Sequence, residues 1–186
     1  MNPAKKINIS IEDYLNGELL SDIKHDYING EVYAVSGASR THNIISMNLA
    51  ALLYNHLRAT PCRVFGSDMK VGIFTANDDY FYYPDIQVSC HNSGHEQYNT
   101  EPLLIIEVLS PTTERKDRAE KFSNYRKLKS LQEYVLIAQD CQRVEIYRAN
   151  NAWDLSLFGL DESIYFESIA LTLNIAEIYQ DSAIMS

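Results

Sequence analysis

Two carboxylates stand where a carboxylate is costly. Asp85 opens the apolar run of PDIQVSC, and Glu107 lies near the end of LLIIEVLS. Both segments read as buried strand, and a charged group there must be paired, hydrogen-bonded or bound to a cation. Brought together on neighbouring strands, the two would form an oxygen-lined site for a hard divalent cation. Such a site suits metal-assisted hydrolysis of a phosphodiester. A third participant is expected on the segment that follows. There Asp117, Lys121 and Tyr125 recur every four residues, so on a helix they share one face. A helix after the Glu107 strand can pack back across it. Lys121 would then reach the carboxylates, to act on a water or on phosphate charge.

The elements that position these residues are partly legible. Ser10 reads as the cap of a short helix over IEDYLNGELL, with Asp13 at the capping-box position. DYINGEVYAVSG reads as a strand pair or a bent strand, with Asn29-Gly30 as the turn signal. Thr41 reads as the cap of a helix over residues 42–58, with Ile45, Leu49, Leu52, Leu53 and Leu57 at helical spacing and Pro61 as the stop. CRVFGSDMKVGIF alternates loosely, with Val64, Met69, Val71 and Ile73 as inward candidates, and FYYPDIQVSC reads as a strand, with Pro84 marking an edge, a bulge or a strand start. The unbroken run LLIIEVLS reads as a strand covered on both faces. A regular helix is expected from Glu114 to Leu128. After it come paired strands over EYVLIAQD and RVEIYRAN, further strand material, and a short final helix at IAEIYQ. The order predicts an α/β or α+β fold with a mixed sheet. No repeat, low-complexity tract or linker divides the chain, so residues 1–186 are expected to form one domain.

Composition sets bounds on function. No apolar run approaches a membrane span and no hydrophobic stretch follows MNPAKKINIS, so a cytoplasmic protein without membrane attachment is expected. Cys62, Cys90 and Cys141 form no CxxC pair and are expected to be reduced thiols. Cys90, His91 and His95 make a poor zinc site, because adjacent strand residues point to opposite faces. The net charge of −9 argues against broad nucleic-acid binding, which is driven by neutralising phosphates. Seven of the sixteen Lys and Arg residues nevertheless fall between Glu114 and Ser130.

The stretch PLLIIEVLSPTTERKDRAEKFSNYRKLKSLQEYVLIAQDCQRVEIYR, with DYINGEVY, SRTHNIISMNLAALL and YPDIQV upstream, resembles the Uma-two family of restriction-endonuclease-like proteins. That family is a branch of the PD-(D/E)XK nuclease superfamily. The resemblance implies a mixed β-sheet flanked by helices, one or two magnesium ions with manganese as a substitute, and DNA as substrate. It makes Asp85 and Glu107 catalytic metal ligands, joined by Glu31 and the backbone carbonyl of Val108. The superfamily's linear motif places lysine two residues after the acid, where this chain has Leu109. Lys121 matches the helix lysine that takes its place, and Asp117 the acid before it. His42 matches a histidine of relatives, with capping or packing as the competing role. Ser110 could touch phosphate or cap a turn, and Tyr125 could support the site or simply pack. A homodimer is expected if both DNA strands are cut. The alternative is an inactive nuclease fold used for DNA or protein binding or for assembly. A third possibility is a hydrolase of smaller phosphodiesters.

Overall fold

The computed structural model describes residues 8–91 and 95–184. Helix α1 (Ile11–Glu18) precedes the hairpin β1 (His25–Ile28) and β2 (Glu31–Ala34), and α2 (Arg40–Leu57) follows. Next come β3 (Arg63–Gly66), β4 (Lys70–Phe74), β5 (Asp79–Tyr82), β6 (Ile86–Ser89), β7 (Tyr98–Asn99) and β8 (Leu104–Leu109). A contiguous helical segment then runs through α3 (Glu114–Lys116), a π-helical turn (Asp117–Lys121) and α4 (Phe122–Tyr125). The chain continues through β9 (Glu133–Ala138), β10 (Arg143–Arg148), β11 (Leu155–Gly159), β12 (Ser163–Phe166), β13 (Leu171–Asn174) and α5 (Ile175–Ile178).

Among the described residues the strands form two main sheets and a small hairpin. One sheet has the order β2-β1-β5-β4-β7, the other β11-β10-β9-β8-β6-β3, and β12 pairs with β13. The second sheet is mixed: β8 runs antiparallel to β6 and parallel to β9. Parallel neighbours cannot be joined by a tight turn. The segment through α3 and α4 is the crossover between β8 and β9, and it packs back over the sheet. This is the expected mixed α/β architecture with helices against the sheets.

Strand β8 explains its own composition. Leu104, Ile106 and Val108 face the main core, which includes Ile45, Leu49, Leu53 and Leu57 of α2. Ile105 and Leu109 face the opposite way, into a second core with Tyr82, Tyr125 and Tyr134. Glu107 shares this second face by strand alternation. Both faces are covered, so the strand reads as one apolar run.

Four expectations need correction. Helix α2 is capped by Ser39, not Thr41: Ser39 Oγ accepts the His42 N–H at 3.1 Å, so Thr41 lies inside the first turn. The loosely alternating CRVFGSDMKVGIF divides into β3 and β4, which lie in different sheets. FYYPDIQVSC is likewise two strands: β5 belongs to one sheet and β6 to the other, and the chain changes sheets across Tyr83, Pro84 and Asp85. The helix after β8 is neither regular nor as long as expected. Its Phe122 N–H reaches back to the Asp117 carbonyl, which also accepts the Tyr134 hydroxyl at 2.9 Å. A side chain inserted into the helical ladder accounts for the wider turn. Finally, Cys62 and Cys90 are joined in a disulfide, not free. The antiparallel register sets Arg63 opposite Ser89, so the next residues out on β3 and β6 face each other. A separation of 28 residues gave no sign of this. It also removes Cys90 from any zinc site.

Candidate active site

Asp85, Glu107, Asp117 and Lys121 line one cleft of about 380 Å³, together with His42, Ser110, Lys24 and Tyr83. Three structural features bring them there. The sheet change at Pro84 delivers Asp85 to the start of β6. Alternation along β8 turns Glu107 away from the main core. The crossover segment then lays Lys121 over Glu107.

Glu107 is buried, at 3% exposure. Its Oε1 accepts Lys121 Nζ at 3.0 Å and the Tyr125 hydroxyl at 3.2 Å. Among the described residues no donor reaches Oε2. Lys121 Nζ also lies 3.1 Å from Asp117 Oδ1, an ion pair without hydrogen-bond alignment. Asp85 is held at both oxygens: Oδ1 by His42 Nε2 at 2.8 Å and Oδ2 by the Val108 N–H at 2.7 Å. A carboxylate only accepts, so His42 Nε2 carries the hydrogen.

The Val108 carbonyl has a particular setting. The antiparallel register, with Ile86 opposite Ile106, continues to place Val108 opposite Pro84. The N–H and C=O of one strand residue point to the same side. Pro84 has no N–H to offer that carbonyl.

Electrostatics distinguish the two buried partners. Burial is the strongest influence on Glu107 and pushes its carboxyl well above the ordinary range; Lys121 pulls it back, while Asp117 and Asp85 push it further up. Burial is also the strongest influence on Lys121 and acts downward, but Glu107, Asp117 and Asp26 outweigh it and raise the ammonium. Both shifts favour the protonated form, a neutral acid beside a charged ammonium. A protonated Lys121 is the state that stands, since one ammonium faces three carboxylates. Two negative charges remain uncompensated when all three acids are ionised, and that excess helps to raise Glu107.

The other expected residues divide. Ser110 caps the turn, its Oγ accepting the Thr113 N–H at 3.2 Å, and it also lines the cleft. Tyr125 both packs in the core and bonds Glu107. Glu31 is not brought to the cleft. It stands at the turn end of the β1–β2 hairpin, bonded to the Tyr33 hydroxyl at 2.5 Å. The cleft touches the far end of that hairpin at Lys24 and Val35, four residues or about 13 Å along the strand.

The acid near the site that sequence reasoning missed is Asp26. It is buried, takes Lys116 Nζ at 2.7 Å and the Tyr83 N–H at 3.3 Å, and contributes to the upward shift of Lys121. An acid between His25 and the apolar Tyr27 and Ile28 was the available signal.

With this geometry in view, similarity to known proteins becomes informative. The family model described as "Putative restriction endonuclease" matches residues 11–176. The chain belongs to the Uma2 family. Two uncharacterized proteins of Synechocystis sp. are each 34% identical to this Uma2 chain. One match covers 94% of the chain and 93% of the relative, the other 85% and 92%. The fold also matches the crystal structure of a "putative nuclease belonging to DUF820" from Anabaena variabilis. That match has a TM-score of 0.69 and 20% identity, over 89% of this chain and 96% of that one. Among the described residues of this Uma2 protein, no three His, Cys, Asp or Glu side chains already stand at metal-binding spacing. No helix among them is long and apolar enough to cross a membrane.

Proposed function

We propose that this Uma2 protein is a divalent-metal-dependent DNA endonuclease of the PD-(D/E)XK type. The observation that carries the reading is the convergence of Asp85, Glu107 and Lys121 in one cleft, with Lys121 Nζ 3.0 Å from a buried Glu107.

The residues fit a hard cation. The donors are carboxylate oxygens, as magnesium and manganese prefer. Glu107 Oε2 and the Val108 carbonyl, opposite Pro84, are the oxygens least committed to protein partners. Asp85 would join them by exchanging its His42 contact. A bound magnesium ion would lower the pKa of a water and draw charge from the scissile phosphate. Asp85 and Glu107 would hold that ion. Lys121, protonated, would orient the attacking water or stabilise charge on the phosphate. Tyr125 and Asp117 would fix the positions of Glu107 and Lys121. Each cleft cuts one strand, so double-strand cutting calls for a homodimer. A cytoplasmic location fits a DNA substrate.

The test is nicking of supercoiled plasmid with magnesium or manganese. Glu107→Ala and Asp85→Ala are expected to abolish it, and cutting by a clean Glu107→Ala preparation overturns the assignment. One observation favours a non-catalytic binding or assembly module instead: both Asp85 oxygens are already bonded within the protein. Calorimetric titration with manganese separates the readings, because absent binding at millimolar metal supports the module.

A further inference from the structure

The cleft holds a cation that the chemistry above does not use. Among the described residues its walls carry four acids, Asp22, Asp85, Glu107 and Asp117, against two lysines, Lys24 and Lys121. Lys121 is buried and held between Glu107 and Asp117. Lys24 is the lysine that solvent reaches, with 37% of its side chain exposed. A polyanion entering a site so rich in carboxylates is repelled unless a cation meets it.

Lys24 immediately precedes β1, and its carbonyl accepts the Val35 N–H at 2.9 Å. Its backbone is thereby fixed at the cleft end of the β1–β2 hairpin. Its ammonium reaches the β3–β4 turn. There Nζ donates to the Ser67 carbonyl at 2.8 Å and to Ser67 Oγ at 3.3 Å, and it pairs with Asp68 Oδ1 at 2.6 Å. It also lies 5.6 Å over the ring of Tyr83, which lines the cleft too. The Asp68 side chain is 92% exposed, and an ion pair so open to water contributes little and exchanges readily. A lysine ammonium has three donors. Lys24 can keep the Ser67 carbonyl and trade the Asp68 carboxylate for a phosphate oxygen.

We infer that Lys24 binds the DNA backbone at a phosphate flanking the scissile one, and that Asp68 occupies Lys24 until DNA displaces it. The polar partners of Lys24 lie in the β3–β4 turn and not among Asp85, Glu107 and Lys121, so the phosphate it meets is a neighbour of the one that is cut. The role rests on the nuclease reading and adds to it the contact that admits an anionic polymer to an acidic cleft.

The test is fluorescence anisotropy of a short labelled DNA duplex, with calcium as a hard cation for the same oxygens and the duplex recovered intact. Lys24→Met should weaken binding about tenfold, the lower end for a hydrogen bond to a charged group. It should also make the slope of log K against log salt shallower by about 0.9, the share of one phosphate. Lys24→Arg keeps the charge and should restore most of the affinity. Asp68→Asn should act in the opposite direction and tighten binding about twofold to fivefold, because an exposed competitor is gone. Made in Lys24→Met, the same Asp68→Asn change should bring no gain. A bridge that merely ties the two loops together predicts weaker binding for Asp68→Asn as well. Weaker or unchanged binding in Asp68→Asn, or an equal gain with and without Lys24, overturns the exchange, and plasmid nicking by the same variants then leaves the nuclease intact. Asp68 is exposed, so its variant decides the matter even if Lys24→Met folds poorly. The expected pattern in a protein that never cuts upholds Lys24 and overturns the nuclease. A wild type that neither binds nor cuts DNA overturns both.

Discussion

Lys121→Met, studied without metal, tests the electrostatics of the cleft directly. Methionine keeps most of the side chain's length and removes the ammonium that serves both Glu107 and Asp117. Removing one partner of a buried pair leaves an uncompensated charge and costs about 3–5 kcal/mol. That is a large part of a total stability of about 5–15 kcal/mol. The pH dependence supplies the sign. Glu107 is raised in the folded state, so between the ordinary 4.5 and its folded pKa the native protein binds the extra proton. Stability therefore falls as pH rises through that window. The variant loses the one cation that pulls Glu107 down, so its window extends further upward. Acidifying through that window should restore up to about 1.4 kcal/mol per pH unit while Glu107 takes up its proton. Lys121 itself is raised above 10.5, so its own contribution in wild type is complete below that pH and is lost only as pH climbs through the folded value.

Urea unfolding in EDTA at several pH values measures all of this. Adding Glu107→Gln to the variant should recover at least half of the loss near pH 8 and flatten the pH response, with Asp117 accounting for the rest. A Lys121→Met protein within about 1 kcal/mol of wild type at every pH would refute the argument. The pair would then behave like an exposed salt bridge.

Further expectations are simpler. Tyr125→Phe keeps the aromatic packing but removes the hydroxyl bonded to Glu107, and should cost about 0.5–1.5 kcal/mol in urea unfolding, the net range for a typical hydrogen bond. Glu31→Ala should leave metal-dependent nicking within about twofold of wild type, because Glu31 stands at the far end of its hairpin; a loss beyond about tenfold, roughly 1.4 kcal/mol of barrier, would return it to the site. Leu49→Ala empties a fully buried position of α2 and should destabilise by about 2–5 kcal/mol, measured by thermal or urea melts.

Legibility varied with the physics behind each residue. Glu107 was readable because a charge inside an apolar run is expensive, and that cost holds in any fold. Lys121 was readable because spacing along a helix survives even a locally widened turn: it still reaches both Glu107 and Asp117. The π-helical turn itself left no mark, since its cause is the hydroxyl of Tyr134, a residue beyond the helix. The same holds for Cys62 and Cys90, which meet only through the pairing of β3 with β6. Glu31 was named from the family resemblance alone, whereas proximity to the cleft depends on which end of the hairpin faces it, and that end carries Asp26.

Pro84 links the change of sheets to the chemistry of the cleft. As a sequence feature it suggested only an edge, a bulge or a strand start. In the fold it stands where the chain passes from one sheet to the other, so Asp85 emerges at a junction between sheets and not within a ladder. Because it has no N–H, it also cannot bond the Val108 carbonyl opposite it, while the Val108 N–H is taken by Asp85. One imino acid thus delivers an acid to the cleft and leaves a neighbouring carbonyl oxygen without its ladder donor. Those are the two kinds of oxygen a hard cation takes, which is why the Pro84-Asp85 dipeptide carries more information about the site than either residue alone.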